Sequence, residues 1–217
     1  MNLKSLQQCP LFLQLSPTET ELALECLAAY IRNYQKNDYI FHTEDTAGPI
    51  GIVLTGKAHV IREDYWGNRE VLSPIEAGDM FGEAFACAGV PRLPVSVIAA
   101  GETEICFLDY PKLFSQRTAS YSFQFKLIQN MLQILAGKNI TLTQKMEHIS
   151  KRTLREKILS YLSSLAIKTD SSHILIPFNR QELANYLSVD RSALSRELSI
   201  MQKEGLIQYT GSEFRLL

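Results

Sequence analysis

A heptad repeat of apolar residues from 125 to 149 constrains the fold of this chain more than any other feature. The apolar side chains recur at alternating steps of three and four, which predicts a helix with a narrow seam that packs against a partner helix. The other faces are polar, with Lys126 and Asn130 among them. Asn139 takes one seam position, where a polar residue can fix the register of a two-stranded pair. The pattern predicts a parallel homodimer helix; a long helix packed on its own domain is the alternative. The predicted dimerisation positions are Phe125, Ile128, Leu132, Leu135, Asn139, Leu142, Met146 and Ile149.

Before the heptad repeat, short runs rich in Val, Ile, Tyr and Phe extend from Tyr39 to Leu108. Glycine-containing turns separate them, and short strands at near-regular spacing predict a small antiparallel β-barrel or sandwich. The clearest hairpin turn is predicted at Gly67 and Asn68, which both tolerate positive φ. Residues 17–31 form a predicted amphipathic helix ahead of the strands. The fold class is therefore α+β.

After the heptad repeat, the pattern changes to that of a winged helix-turn-helix. A helix is predicted over 152–165, and Asn179 with Glu182 forms a capping box at the start of the next helix. A short turn follows, and Asp190 caps another helix. Two short β segments around Gly211 supply the wing.

Three parts are predicted: a β-barrel sensor domain with its N-terminal helix at 1–116, a dimerisation helix at 117–149 and a winged helix-turn-helix at 150–217. The net charge differs between the first two parts and the third. Residues 1–149 hold 12 basic and 16 acidic side chains, giving −4, whereas 150–217 hold 10 basic and 7 acidic ones, giving +3. A basic C-terminal part favours double-stranded DNA as a partner.

Composition excludes several other classes of protein. With 46% hydrophobic and 21% charged residues, the chain is neither disordered nor a membrane protein. No apolar run approaches the roughly 18 residues that a membrane span needs, and the N-terminus does not resemble a signal peptide. A cytoplasmic location is expected, and nothing predicts an enzyme. The 4 cysteines are scattered without a close pair, which favours buried thiols over a structural zinc site.

The helix capped by Asp190 exposes arginines and hydroxyls on the face opposite its apolar stripe. Arginine forks can bind guanine O6 and N7, and hydroxyls can bond to bases or phosphates, so this composition suits a recognition helix. A solvated face on a structural helix is the alternative. The face consists of Arg191, Ser192, Ser195, Arg196 and Ser199.

The order of β-barrel, long helix and winged helix-turn-helix resembles the CRP/FNR family of bacterial transcription regulators. Residues 180–184 and 190–196 are similar to the family's paired helices, and residues 54–58 and 78–83 to its glycine turns and ligand cassette. The resemblance implies a cyclic-nucleotide-binding-like jelly roll, a homodimer on an inverted-repeat operator, an allosteric effector and contact with RNA polymerase. It adds Arg180 and Gln181 to the predicted DNA-binding set and makes Arg196 the base-contacting arginine.

Two departures from the family pattern bear on the ligand. Members that bind cyclic AMP carry an Arg-Ser/Thr pair after the Phe-Gly-Glu stretch, whereas Leu93 and Pro94 stand there in this chain and Arg92 comes one place early. Pro94 offers a phosphate neither a hydroxyl nor an N–H, so cyclic AMP is disfavoured. Cys9 and Cys26 are too few and too far apart for an FNR-type iron–sulfur cluster, and no residue is specifically placed for haem.

An unidentified small organic effector, or a redox input through the thiols, remains. Glu83 has a structural helix cap as its alternative role, and Asn139 has the register role. The predicted effector-binding residues are Phe81, Gly82, Glu83, Arg92, Ser96 and Asn139.

A third departure concerns the operator, since Ser192 stands where many relatives carry glutamate. Glutamate accepts a hydrogen bond from cytosine N4 and serine can bond either way, so the operator is predicted to differ at that base step. Two rival functions stay open. One is a cupin-like metalloprotein, although His42 and His59 lack the usual close spacing; the other is a ligand-binding or interaction module that has lost DNA binding.

Overall fold

The computed structural model describes residues 6, 9–63, 66 and 69–217. The chain divides into two compact units, residues 1–135 and 136–217. The first unit holds two antiparallel sheets, ordered β1-β8-β3-β6 and β2-β7-β4-β5. The strands are β1 (Tyr30–Tyr34), β2 (Tyr39–Phe41), β3 (Pro49–Thr55), β4 (Ala58–Glu63), β5 (Arg69–Ile75), β6 (Met80–Phe81), β7 (Ser96–Ala99) and β8 (Thr103–Asp109). The predicted antiparallel barrel or sandwich is confirmed.

Short helices flank these sheets. They are α1 (Pro17–Cys26), α2 (Glu83–Ala88) and α3 (Gln116–Ala119), with 3-10 turns at Pro10–Phe12 and Tyr110–Phe114. The predicted helix over 17–31 is too long: Ala28 adopts a positive φ of 48°, the chain reverses, and β1 pairs with β8 instead. The predicted hairpin turn at Gly67 and Asn68 lies outside the described residues, although β4 and β5 pair on either side of it.

The core of the first unit has two parts. Between the two sheets, aromatic rings fill the interior: the Phe41 ring lies 5.4 Å from that of Phe81 and 5.7 Å from that of Phe107. On the outer side of the β1-containing sheet, a second cluster packs α1 against residues such as Cys106 and Leu127. Cys9, Cys26 and Cys106 are buried thiols in this second cluster, as the scattered spacing predicts.

The long helix α4 (Phe123–Ile149) extends from the first unit into the second. Its first half packs on the first unit through Phe123, Leu127 and Met131, a face that the heptad repeat does not mark. Asn130 belongs to this buried face, so its assignment to the polar side was wrong. The seam faces solvent along much of its length, with exposures of 73% at Phe125, 63% at Leu132, 62% at Leu142 and 65% at Met146.

The second unit is a winged helix-turn-helix, as predicted. Its sheet has the order β10-β11-β9, and the inner faces of its helices and strands share one apolar core. Leu183, Leu194, Leu198 and Phe214 are fully buried at its centre. The elements are α5 (Leu154–Thr169), β9 (His173–Leu175), α6 (Arg180–Tyr186), α7 (Arg191–Lys203), β10 (Ile207–Thr210) and β11 (Glu213–Leu216).

Candidate nucleic-acid interface and effector site

The start of α6 is fixed by a capping box. The Asn179 side chain accepts hydrogen bonds from the backbone amides of Gln181 at 2.9 Å and Glu182 at 3.0 Å. In return, the Glu182 carboxylate accepts from the Asn179 amide at 2.7 Å. These bonds satisfy amides that the helix cannot pair internally, so the chain must begin α6 at this point. The predicted capping box is confirmed.

The turn between α6 and α7 is short, and Ser188 adopts a positive φ of 53° within it. Asp190 then caps α7 by accepting from the Ala193 amide at 2.8 Å and from the Ser192 hydroxyl. Hydrogen bonds from Ser192 and Ala193 hold the pKa of Asp190 below its ordinary value. The Ser192 hydrogen is therefore committed to Asp190, and the lone pairs of its oxygen remain available to a donor.

The predicted reading face lies on α7. Arg191, Arg196 and Ser199 are exposed there, while Leu194 and Leu198 anchor the opposite side in the core. The Ser195 and Ser199 hydroxyls each donate to the carbonyl four residues earlier, at 3.0 Å. Two exposed arginines thus share this face with small hydroxyl side chains.

Arg180 and Gln181 lie on the first turn of α6. The Arg180 guanidinium lies 5.0 Å from the centroid of the Tyr209 ring and donates to the Gly211 carbonyl at 3.3 Å. It therefore braces the wing against α6, a role that the sequence pattern did not indicate. The Gln181 amide donates to the Asn185 side chain at 3.0 Å.

Arg155, on the first turn of α5, was missed by the sequence reasoning. Its Nε lies 2.6 Å from Glu197 Oε1, and its Nη1 lies 2.7 Å from Glu204 Oε2. Glu197 lies in α7 and Glu204 is its C-cap, so Arg155 joins α5 to α7 at two points. No local pattern indicates this contact, because more than 40 residues separate Arg155 from each partner.

The predicted effector-binding residues of the barrel are only partly brought together. Phe81 is buried between the sheets, and a Cβ at Gly82 would lie 3.3 Å from the Phe41 ring. Gly82 also has a φ of 81°, so glycine suits this position on two grounds. Glu83 is buried as the first residue of α2. These three residues are consecutive at the point where β6 meets α2.

The remaining predicted effector residues are oriented differently. Arg92 is exposed, 3.7 Å from the Glu44 carboxylate, whereas its neighbour Leu93 is buried between the sheets. The Ser96 hydroxyl is buried and bonds to the backbone and side chain of Thr43, at 2.9 and 3.0 Å. Asn139, in the second unit, is exposed and accepts from Thr143 at 3.3 Å.

Comparison with known proteins assigns both units to families. The Cyclic nucleotide-binding domain family matches residues 31–118, and the Crp-like helix-turn-helix domain family matches residues 156–217. The Transcriptional activator protein anr of Pseudomonas aeruginosa is 24% identical over 221 residues, covering 99% of this chain and 88% of that protein. The chain belongs to the CRP/FNR family of transcriptional regulators. The Cyclic AMP receptor protein of Thermus thermophilus is also 24% identical to this CRP/FNR regulator, over 92% of this chain and 88% of that protein.

Solved structures share the fold of this CRP/FNR regulator. DNR from Pseudomonas aeruginosa has a TM-score of 0.52 at 20% identity and covers 100% of this chain and 94% of its own. The c-di-GMP-responsive regulator CLP of Xanthomonas campestris has a TM-score of 0.57 at 21% identity, covering 90% of this chain and 98% of its own.

The thiols and carboxylates of this CRP/FNR regulator are dispersed. Among the residues that the structure describes, no three His, Cys, Asp or Glu side chains cluster as a metal site, which the cupin-like alternative would need. Burial raises the pKa of Cys106 to about 12, so its reactive thiolate form is suppressed. In the same described ranges, every helix is too short or too polar to cross a membrane.

Proposed function

We propose that this regulator acts as a homodimer on an inverted-repeat operator, with residues 150–217 as the DNA-reading domain, 117–149 as the dimerisation helix and 1–116 as the sensor. The observation that carries the proposal is the exposed face of α7. It presents Arg191 and Arg196 beside small hydroxyl side chains and is held in place by a cap, a wing and a fully apolar back.

The exposed seam of α4 supports the homodimer. Exposed apolar surface costs about 25 cal/mol for each Å² left in water, and four large seam side chains are more than 60% exposed. A second copy of the same helix would cover them by knobs-into-holes packing, with Asn139 facing its counterpart across the seam. Contiguous apolar stripes of this kind mark interaction surfaces in soluble proteins.

Base readout is assigned to Arg196, whose guanidinium fork matches O6 and N7 of guanine. Arg191 supplies further contacts to bases or phosphates, the Ser195 and Ser199 oxygens can accept from base amino groups, and Arg180 and Gln181 contact the DNA backbone. Ser192 has its hydrogen bonded to Asp190, so in this rotamer it can only accept from a base, as glutamate would, and the operator difference predicted at this base step requires the Ser192 hydroxyl to turn away from Asp190. A two-fold symmetric dimer reads two half-sites whose centres lie about one turn of the DNA helix apart.

The proposed effector is a small organic molecule other than cyclic AMP. Cyclic AMP carries a phosphate anion, and Arg92, the arginine predicted for the effector site, is exposed and lies 3.7 Å from the Glu44 carboxylate. Aromatic rings fill the interior beside Phe81 and Gly82. An effector that uses Phe81, Gly82, Glu83 and Ser96 would therefore be largely apolar. Contact with RNA polymerase is part of the same proposal.

Stoichiometry tests the proposed assembly. Sedimentation of the protein with an operator duplex is expected to give two chains per duplex; one chain per duplex would contradict it. Calorimetric titration with cyclic AMP at micromolar concentrations is expected to give no binding signal, and saturable binding at one site per chain would overturn the choice of effector class.

A further inference from the structure

His148, in the last turn of α4, is a buried titratable residue that the proposed function does not use. Its side chain is 3% exposed, and both ring nitrogens face hydroxyls of α5. Nδ1 lies 2.9 Å from the Ser160 oxygen, and Nε2 lies 3.4 Å from the Ser164 oxygen. The two serines are four residues apart, so they present adjacent hydroxyls on one face of α5.

These contacts select one tautomer of the neutral ring. The Ser164 hydroxyl donates to the Tyr161 carbonyl at 2.7 Å, so the Ser164 oxygen can only accept from His148. Nε2 must therefore carry the hydrogen, and Nδ1 accepts from the Ser160 hydroxyl. In this arrangement all the polar atoms of the cluster are satisfied by the neutral form of the ring.

Aromatic contacts attach the same turn of α4 to the helix-turn-helix. The His148 ring meets the edge of Tyr161 at 5.7 Å and lies 6.3 Å from the ring of Tyr186, at the end of α6. Lys145, one turn earlier in α4, has its ammonium 5.6 Å from the centroid of the Tyr186 ring. The last two turns of α4 therefore pack on α5 and α6 within the second unit, in agreement with the division of the chain at residue 135.

We infer that His148 is a positioning residue: in its neutral form it latches the end of the long helix to α5 and α6, and its protonation weakens the latch and operator binding. The part of this inference that concerns DNA rests on the proposed function. The inference follows from geometry, because an imidazolium must donate from both nitrogens and the Ser160 hydroxyl would have to turn away to accept.

The charged and titratable groups around the His148 ring determine whether low pH strengthens or weakens its contacts with α5 and α6. Burial lowers the pKa of His148 below its ordinary value of 6.5; the Glu147 carboxylate favours the charged ring, and Lys151 opposes it. Burial raises the pKa of Tyr161 to about 12 and raises that of Tyr186, so neither phenol ionises near neutral pH. The Lys145 ammonium faces the ring of Tyr186.

In the released state His148 has its ordinary pKa of about 6.5, whereas burial lowers its pKa in the latched state. At pH values between these two pKa values, the released state therefore binds more protons than the latched state. The latch is accordingly complete above about pH 6.5 and weakens as the pH falls below that value.

The latch itself is tested without DNA, by ¹⁵N NMR of the histidines in the full-length protein. At pH 7.5, His148 is expected to show the Nε2–H tautomer and to have a titration midpoint below 6.5, the ordinary pKa of histidine. An Nδ1–H tautomer, or a titration midpoint at or above 6.5, would overturn the inference. Because this readout requires no operator, it remains decisive even if the proposed function fails.

The predicted weakening of operator binding is tested by measuring operator affinity between pH 7.5 and 5.5 at constant salt. Wild-type affinity is expected to fall, by up to about tenfold for each unit that separates the pKa values of the latched and released states. His148→Phe keeps a ring and loses both hydrogen bonds, so its affinity is expected to be lower at pH 7.5 and nearly independent of pH. His42→Phe, the matched control, is expected to keep the wild-type profile.

A histidine that simply contacts phosphate would give the opposite sign, with stronger binding at low pH. Ser160→Ala, a smaller change at the partly exposed donor to Nδ1, serves as a second variant if His148→Phe fails to fold, and it is expected to reduce affinity at pH 7.5. Wild-type affinity that does not fall with pH, or a fall that persists unchanged in both variants, would overturn the inference.

Discussion

Asn130 donates hydrogen bonds to the backbone carbonyls of Leu11 at 2.9 Å and Leu13 at 2.8 Å, from a position buried under the N-terminal segment. Asn130→Ala would leave two carbonyls without their donor, so the first unit is expected to lose about 1–3 kcal/mol of unfolding free energy. Urea denaturation measures this loss. Gln129→Ala, at the exposed neighbouring position, is the control, and equal stabilities for the two variants would contradict the assignment.

Arg196 carries the prediction for specificity. Arg196→Ala is expected to weaken operator binding by about 1–3 kcal/mol and to relax preference at one base of each half-site. Fluorescence anisotropy with single-base operator variants gives both quantities. Arg62→Ala removes an exposed arginine of the barrel and should leave affinity and preference unchanged; an Arg196 variant that behaves like this control would exclude Arg196 from readout.

Residues whose partners are local could be predicted from the sequence. The capping box of Asn179 and Glu182 and the cap of Asp190 connect groups within three residues, so their spacing is sufficient. Asn130 could not be predicted, because its acceptors lie 119 and 117 residues away and a polar side chain in a helix is usually exposed.

At the scale of elements, the contact between α5 and α7 depends on Arg155, which binds Glu197 and Glu204. Arg155→Met keeps most of the side-chain volume and removes the charge, so the DNA-reading domain is expected to melt at a lower temperature and to bind the operator less tightly. The three side chains are partly exposed, so salt screens the pairs and the difference in melting temperature from wild type should shrink at high salt. A difference that does not depend on salt would contradict an electrostatic clamp.

The long helix α4 shows which of its contacts the hydrophobic periodicity of the sequence can predict. The heptad repeat predicted α4 and its exposed seam, because steps of three and four lie on one helix face. It did not mark the second apolar face of Phe123, Leu127 and Met131, whose steps of four are visible in the sequence but whose partners in the N-terminal segment and the sheet are distant along the chain. The effector residues were the least predictable part of the site, because whether Arg92 or Leu93 enters the barrel depends on strand register.

For the whole molecule, the proposed dimer depends on the seam. Leu142→Glu puts a carboxylate on the exposed apolar stripe of each chain, and like charges facing each other across the seam are expected to shift the protein from dimer to monomer and weaken operator binding. Sedimentation velocity over a range of concentrations follows the shift. Thr141→Glu adds the same charge off the seam and should remain dimeric; two variants that assemble alike would contradict the seam as the interface.

Enrichment of random duplex DNA by the purified protein tests whether the protein is a dimeric DNA-reading regulator. The selection is run at one stated moderate salt concentration, with and without metabolite extract, because the salt sets phosphate affinity and the extract supplies a missing effector. We predict enrichment of an inverted repeat whose half-sites lie about 10 base pairs apart, in at least one of the two selections. A pool that stays random in both, or a motif without two-fold symmetry, would contradict a dimeric DNA-reading regulator.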